Sequence, residues 1–285
     1  MDYLKRITFP DKESEFDFFI EIKRTVYDSY YPFHILSDHQ FDSIDFEPIT
    51  ILYGGNGSGK TTALNVIAEK LQVERDSLFN RSSFFSEYID FCEMEQGYDF
   101  PENKRIITSD DVFDYILTIR NVNEGIDTKR EALFEEYLQS KYSQFQLKSL
   151  DDYEELKKIN QARSRTQSKF VRKNLMDNIR EQSNGESAFR YFVEKIEENG
   201  LYLLDEPENS LSPERQLELV KYIEDSARFF GCQFIIATHS PFFLAMKEAK
   251  IYDLDQNPVQ VKKWTELENV QTYHDFFKKH EKEFE

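Results

Sequence analysis

The chain has 285 residues, 39% of them hydrophobic and 15% aromatic, which suits one large α/β domain or a domain with an insertion and excludes a disordered chain. Its formal net charge of −18 repels nucleic-acid phosphate over most of the surface, arguing against a general DNA coat protein while leaving room for a local basic stripe. Two cysteines, Cys92 and Cys232, give neither a metal-ligand spacing nor a disulfide framework, so a reducing compartment is expected.

The opening stretch MDYLKRITFPDKESEF has no apolar core of the secretory-signal kind. The longest apolar runs, such as FFGCQFIIA, are about half the length needed to span a bilayer. A soluble, cytoplasmic protein with no membrane contact is expected. Residues 16–26 are a candidate edge strand. Ile49, Ile51, Leu52 and Tyr53 read as a buried strand, and Leu64, Ile67, Ala68 and Leu71 recur at helical spacing over 61–71. Strand, glycine turn and helix form one unit.

KRIIT at 104–108 predicts another strand, and 110–180 reads as mostly helical, charged and poor in glycine and proline. Charge divides that segment. Residues 131–156 carry Glu131, Glu135, Glu136, Asp151, Asp152, Glu154 and Glu155 against Lys141 and Lys148; residues 161–180 carry Arg163, Arg165, Lys169, Arg172, Lys173 and Arg180 against Asp177. A helical insertion over 109–182 within a single 1–285 domain is expected, as a hairpin whose arms attract each other. LYLLDE at 201–206 predicts a strand ending in two acids. Ser212 and Pro213 then suit the cap and first position of a helix that runs to about Phe230 and stops at Gly231. CQFIIATHS reads as a buried strand ending at His239, AKIYDLDQ as a further strand, and NVQTYHDFFKKHEKEFE as a terminal amphipathic helix. The pairs Phe84–Phe85, Phe229–Phe230 and Phe242–Phe243 are expected in the core. His34, His39, His274 and His280 form no visible ligand set.

Three stretches carry chemistry. GGNGSGKTT, running through Gly54, Gly55, Asn56, Gly57, Ser58, Gly59, Lys60, Thr61 and Thr62, fits the phosphate-binding loop pattern between a predicted strand and helix. Glycines let successive amides turn toward phosphate oxygens, Lys60 reaches the terminal phosphates, and the Thr61 hydroxyl suits Mg²⁺. The following helix adds its positive N-terminal end. In LYLLDEPENSLSP, Asp205 is placed to complete the metal shell opposite Thr61, and Glu206 to take a proton from an attacking water. In IIATHS, the His239 imidazole is placed to donate a hydrogen bond to a γ-phosphate.

With SNGES at 183–187, these stretches occur in the order of ABC-type ATPases and resemble Walker A, signature, Walker B with D-loop, and switch histidine. The wording resembles the SMC, RecF and OLD side of that class, and is most similar to small stand-alone bacterial ATPases often labelled AAA-family. The resemblance implies an α/β P-loop NTPase core, a mixed sheet flanked by helices, with a helical insertion. It also implies ATP and Mg²⁺ as cofactors, and a signature turn of Ser183, Asn184, Gly185 and Glu186. That turn would contact the γ-phosphate of a nucleotide held by a second copy in an ATP-dependent, head-to-tail homodimer. Judged by the residues alone, the same turn suits a plain helix cap. The chain departs from the class in having SNGE where transporters have LSGGQ. No Q-loop glutamine or adenine-stacking aromatic can be assigned; Gln96 comes early, and Ser109, Asp110 and Asp111 follow the KRIIT strand. A cytosolic ATPase acting on a separate protein effector is the leading expectation. A DNA-repair or clamp ATPase using the basic run from Arg163 to Arg180 is the alternative, and a transporter subunit a third.

Overall fold

The computed structural model describes residues 2–22, 26–27, 29–142, 153–164, 166–175 and 184–284. The chain begins with strand β1 (Leu4–Thr8), helix α1 (Lys12–Glu21), the short helix α2 (Ile35–Asp38), and strands β2 (Ser43–Asp45) and β3 (Ile49–Tyr53). Helices α3 (Lys60–Leu71) and α4 (Phe85–Phe91) and strands β4 (Glu93–Gln96) and β5 (Asn103–Thr108) follow. Next come α5 (Ser109–Tyr142), α6 (Tyr153–Ser164), α7 (Gln167–Asn174) and α8 (Asn184–Lys195). The last part holds β6 (Gly200–Asp205), α9 (Pro213–Phe229), β7 (Gln233–Thr238), α10 (Pro241–Leu244), β8 (Lys250–Asp253), β9 (Gln260–Lys262) and α11 (Glu268–Lys279).

The chain divides into two compact units, residues 1–113 with 184–285, and residues 114–183. In the first, the described strands form a six-stranded sheet of order β5-β6-β7-β3-β8-β9 and a three-stranded sheet of order β2-β1-β4. The larger sheet is parallel except for β9, which pairs antiparallel with β8. Its central strands are buried along their whole length, as continuous apolar runs covered on both faces must be. The register sets Thr108 beside Asp205, Asp205 beside Ala237, and Tyr53 beside Thr238. The carboxyl ends of β5, β6, β7 and β3 therefore lie side by side, where ligands of open α/β sheets bind.

Residues 16–21 are helical, correcting the expected edge strand. The Asp11 carboxylate caps α1 by accepting from Ser14 N at 2.8 Å. The helix then turns Phe18 and Phe19 inward, Phe18 stacking on Phe33 with ring centroids 4.7 Å apart. Aromatic residues favour strands in isolation, but here the cap and the core contact decide. The expected strands at 49–53, 104–108, 201–206 and 233–238 and the helices at 61–71 and 213–229 form close to their anticipated bounds, whereas the terminal helix stops at Lys279 and residues 143–152 and 176–183 of the expected helical segment lie outside the described residues. Pro213 occupies the first turn of α9, with Ser212 extended at the cap but making no side-chain cap bond. Gly231 ends that region at φ 66°, a left-handed conformation that favours glycine. Phe84, Phe85 and Phe243 are core residues, whereas Phe242 is only partly buried and Phe229 and Phe230 are exposed. They follow the buried stripe of Leu219, Ile223 and Ser226, and the backbone leaves the helix at Phe230.

In the second unit, Tyr137, Ala162, Phe170 and Val171 form a small buried cluster joining α5, α6 and α7. Lys158 pairs with Glu136 at 2.8 Å, an attraction between successive helices. Arg163, Lys169, Arg172 and Lys173 are exposed on α6 and α7. Lys148, Asp151, Asp152, Arg165, Asp177 and Arg180 lie outside the described residues.

Candidate active site

The glycine loop leaves β3 and enters α3 through backbone that glycine alone adopts easily. Gly57 and Gly59 have φ of 84° and 92°. At Gly54 a Cβ would sit 2.4 Å from the Ser58 hydroxyl, so the loop closes only over a bare backbone. Gly55 donates its amide to both oxygens of Asp255, at 2.9 and 3.0 Å, which pins the start of the loop to the residues after β8. The Lys60 ammonium is buried and donates to the carbonyls of Gly54 and Gly55 at 2.7 and 2.9 Å. No side chain caps α3, which leaves its first amides without a side-chain partner at the end of the loop. Thr62 is buried and accepts from the Tyr31 hydroxyl at 3.3 Å. Asn56 is exposed at the rim.

Asn56 to Thr62, Ile35 and Glu206 line one cleft. A larger cleft opens against Pro48, Ile49 and α9, at the amino end of β3 and away from the glycine loop. The chemistry of its lining, and not its size, makes the first cleft the candidate phosphate site.

Opposite the loop, β6 ends in Asp205. Its carboxylate accepts from the Thr61 hydroxyl at 3.2 Å. The Asp205 carboxyl is pushed up to about 6, chiefly by burial, with the negative charges of Glu206 and Glu208 acting in the same direction and the Thr61 hydrogen bond and Lys60 opposing them. Glu206 has φ 48°, an uncommon value for a residue with a side chain, and its amide is tied to Ala237 O at 2.9 Å. That turn brings Glu206 Oε1 within 4.0 Å of Lys60 Nζ and 3.8 Å of His239 Nδ1. Its other oxygen accepts from Asn209 Nδ2 at 2.9 Å. His239 follows β7 with a half-exposed ring, and its carbonyl accepts from Asn269 Nδ2 at 2.7 Å. Lys60, Thr61, Asp205, Glu206 and His239 thus converge from three strand ends.

Asn184, Gly185 and Glu186 form the first turn of α8. A Cβ on Gly185 would lie 3.6 Å from Ser210 O and 3.7 Å from Ser212 N, which places this turn against the loop after Glu206. Ser183 lies outside the described residues. Asp111 is buried at the start of α5, accepting from the amide and hydroxyl of Thr108 at 2.7 and 2.9 Å, a reciprocal helix cap. Gln96 lies on β4 of the small sheet, bonded to Tyr98 O. Sequence reasoning missed Asp255, Asn269 and Glu208. Glu208 alone carried a signal, as a further acid in the DEPE run; the other two act through contacts 200 and 30 residues away in sequence.

A family model for ABC transporters matches residues 42–209, more than half of the chain, and one for an AAA ATPase domain matches residues 184–244. The chain belongs to the ABC ATPase family. Its fold is the P-loop NTPase fold and its activity that of an ATPase. No curated protein matches it. Among solved structures it is similar to an inward-facing metal-chelate type ABC transporter, with 16% identity, TM-score 0.37, and coverage of 81% of this chain and 80% of that one. It is also similar to an ATP-binding cassette in a dimeric post-hydrolysis state bound to ADP and Pi, with 12% identity, TM-score 0.36, and coverage of 78% and 88%. A third is an Smc head domain from Pyrococcus furiosus bound to the C-terminal domain of ScpA, with 13% identity, TM-score 0.37, and coverage of 83% and 94%.

Mg²⁺ fits the donors present. Thr61 and Asp205 offer a hydroxyl and a carboxylate, hard oxygens of the kind that ion takes alongside phosphate and water. Among the described residues no group of three or more His, Cys, Asp or Glu gathers to hold a metal without such help.

Proposed function

We propose that this ABC ATPase hydrolyses Mg-ATP between two copies of itself and uses the cycle of closure and opening as a switch acting on a separate protein in the cytoplasm. The observation that supports the reading best is the placement of Glu206. Its carboxylate stands between the Lys60 ammonium and the His239 ring, on a backbone turn that the Ala237 carbonyl holds in place. The amides of the Gly54–Gly59 loop and Lys60 bind the phosphates, and Glu206 takes the proton of the attacking water. His239 donates to the terminal phosphate. Thr61 and Asp205 would hold Mg²⁺, which neutralises phosphate charge when bound.

The start of α8, with Ser183, Asn184, Gly185 and Glu186, serves the nucleotide of the other copy. Its position against the loop after Glu206 supports a relay between the two sites. A helix N-terminus favours anions, and the chain's own phosphate loop already serves its own nucleotide. Among the described residues no helix is long and apolar enough to cross a membrane; what counts against the transporter-subunit reading is SNGE standing where transporters have LSGGQ.

A second reading has one specific observation behind it. Arg163, Lys169, Arg172 and Lys173 are exposed on α6 and α7, four cations of the kind that contact DNA phosphate. The net charge of −18 weighs against it. Salt-sensitive DNA binding that disappears when these residues are neutralised would establish that reading.

The test is the solution mass of Glu206→Gln, by light scattering, with and without Mg-ATP. A monomer that doubles only with Mg-ATP is expected. A mass indifferent to nucleotide overturns the ATP-driven dimer.

A further inference from the structure

The acid three residues beyond Asp205 is buried, yet it belongs to none of the roles above. Glu208 gathers three donors on Oε1. These are the Thr238 hydroxyl at 2.6 Å, the His239 amide at 3.0 Å and the Ser240 amide at 3.2 Å. The same oxygen lies 3.4 Å from His239 Nδ1. Oε2 is buried and makes no hydrogen bond to the described residues. A second strut runs beside it, because Ser240 donates its hydroxyl to Gln216 Oε1 at 2.7 Å and Gln216 Nε2 donates to Leu211 O at 3.0 Å. The loop after Glu206 and the turn after β7 are therefore one bonded assembly, and Glu208 is its hub.

The arrangement asks for more than a hydrogen-bond acceptor. A neutral amide oxygen would take the same three donors without the cost of desolvating a carboxylate. What the amide cannot supply is negative charge beside the imidazole. A carboxylate facing one ring nitrogen orients the ring and favours a proton on that side, which governs what the other nitrogen does.

We propose that Glu208 is a positioning residue. It fixes the His239 ring for its contact with the terminal phosphate, and makes that contact follow the loop that carries Glu206. Because that loop also lies against the start of α8, a shift there reaches His239 through Glu208 without passing through the nucleotide. The inference rests on the reading of His239 given above.

The test is a double-mutant cycle of Glu208→Gln and His239→Ala, read as kcat, ATP affinity and folding by circular dichroism. Glu208→Gln is expected to fold, to bind ATP as the parent does, and to lose about tenfold to a hundredfold in kcat. In the His239→Ala background the same substitution is expected to be silent. Full activity in Glu208→Gln would mean that an acceptor suffices, which overturns the proposal. So would a double mutant whose loss is the product of the two single losses, since Glu208 would then act independently of His239. Full activity in His239→Ala would overturn the functional reading as well, which separates the two failures. If the amide variant is unstable, Glu208→Asp keeps the charge but withdraws it by one methylene. Its loss must likewise vanish with His239→Ala, or the proposal fails.

Discussion

The Thr61 hydroxyl donates to the Asp205 carboxylate across 3.2 Å, joining the first turn of α3 to the end of β6. The contact occurs where burial pushes the Asp205 carboxyl up to about 6. A carboxyl raised above its unfolded value of 3.8 holds its proton more tightly in the folded state. Its stabilising effect is therefore complete below about pH 4 and is lost as pH rises toward 6. Asp205→Asn is expected to remove that slope. Relative to the parent, the nucleotide-free variant should gain stability between about pH 4 and 6, by roughly 3 kcal/mol at most. Urea unfolding midpoints across that window measure it. Parallel profiles for the two proteins would show that Asp205 is not raised.

Metal dependence follows from the same pair. If Asp205 holds Mg²⁺ as proposed, protons and the cation compete for it, so activity at fixed Mg²⁺ should fall as pH drops through about 6, and excess Mg²⁺ should move the midpoint down. EDTA should abolish hydrolysis and Mg²⁺ restore it. Hydrolysis that persists in EDTA would remove the metal from the reading.

Lys60 is buried with its ammonium on two carbonyls of the loop, so its charge already stands at the proposed phosphate site. Charge-assisted hydrogen bonds of this kind are worth about 1.5–3 kcal/mol each. Lys60→Ala should therefore weaken ATP binding by a factor on the order of 10 to 100 or more. Isothermal titration with Mg-ATP reads this directly, and unchanged affinity would remove Lys60 from the nucleotide site.

The two thiols should be inert in the folded protein. Burial pushes Cys92 up to about 12 and raises Cys232 as well, and the thiolate is the reactive form. At pH 8 a thiol-specific dye should react with neither in the native state and with both in denaturant. Prompt labelling of the native protein would contradict this burial.

The glycine loop and its flanking elements are legible in sequence because each signal there is local. Five consecutive residues of β3 are buried, and Gly57 and Gly59 hold the backbone angles that the pattern requires. Residues 16–21 misled because aromatic spacing alone does not tell a strand from a short helix that turns two phenylalanines inward. What tips the balance is the Asp11 cap and the stacking on Phe33. Asp255 and Asn269 could not be read at all. Each serves the site only because the sheet order brings the end of β8 and the start of α11 to β3 and β7. Glu208 was visible as an acid, but its work depends on a turn that closes 30 residues later.

The start of α8 makes the sharpest prediction about assembly. If Ser183 meets a nucleotide held by the other copy, Ser183→Arg should leave ATP binding intact and block both pairing and hydrolysis. Lys60→Ala should fail for the opposite reason, with a sound α8 and a damaged phosphate loop. Mixed together, the two inactive proteins can form a pair in which one composite site is whole. That site takes its phosphate loop from the Ser183→Arg chain and its α8 turn from the Lys60→Ala chain. Hydrolysis should therefore return on mixing, scale with the fraction of mixed pairs, and vanish on dilution below the pairing range. If the turn acts within its own chain, no mixture contains an intact site and activity stays absent at every ratio. Residues 183–186 would then be a helix cap, and Glu208 would link two parts of a single copy.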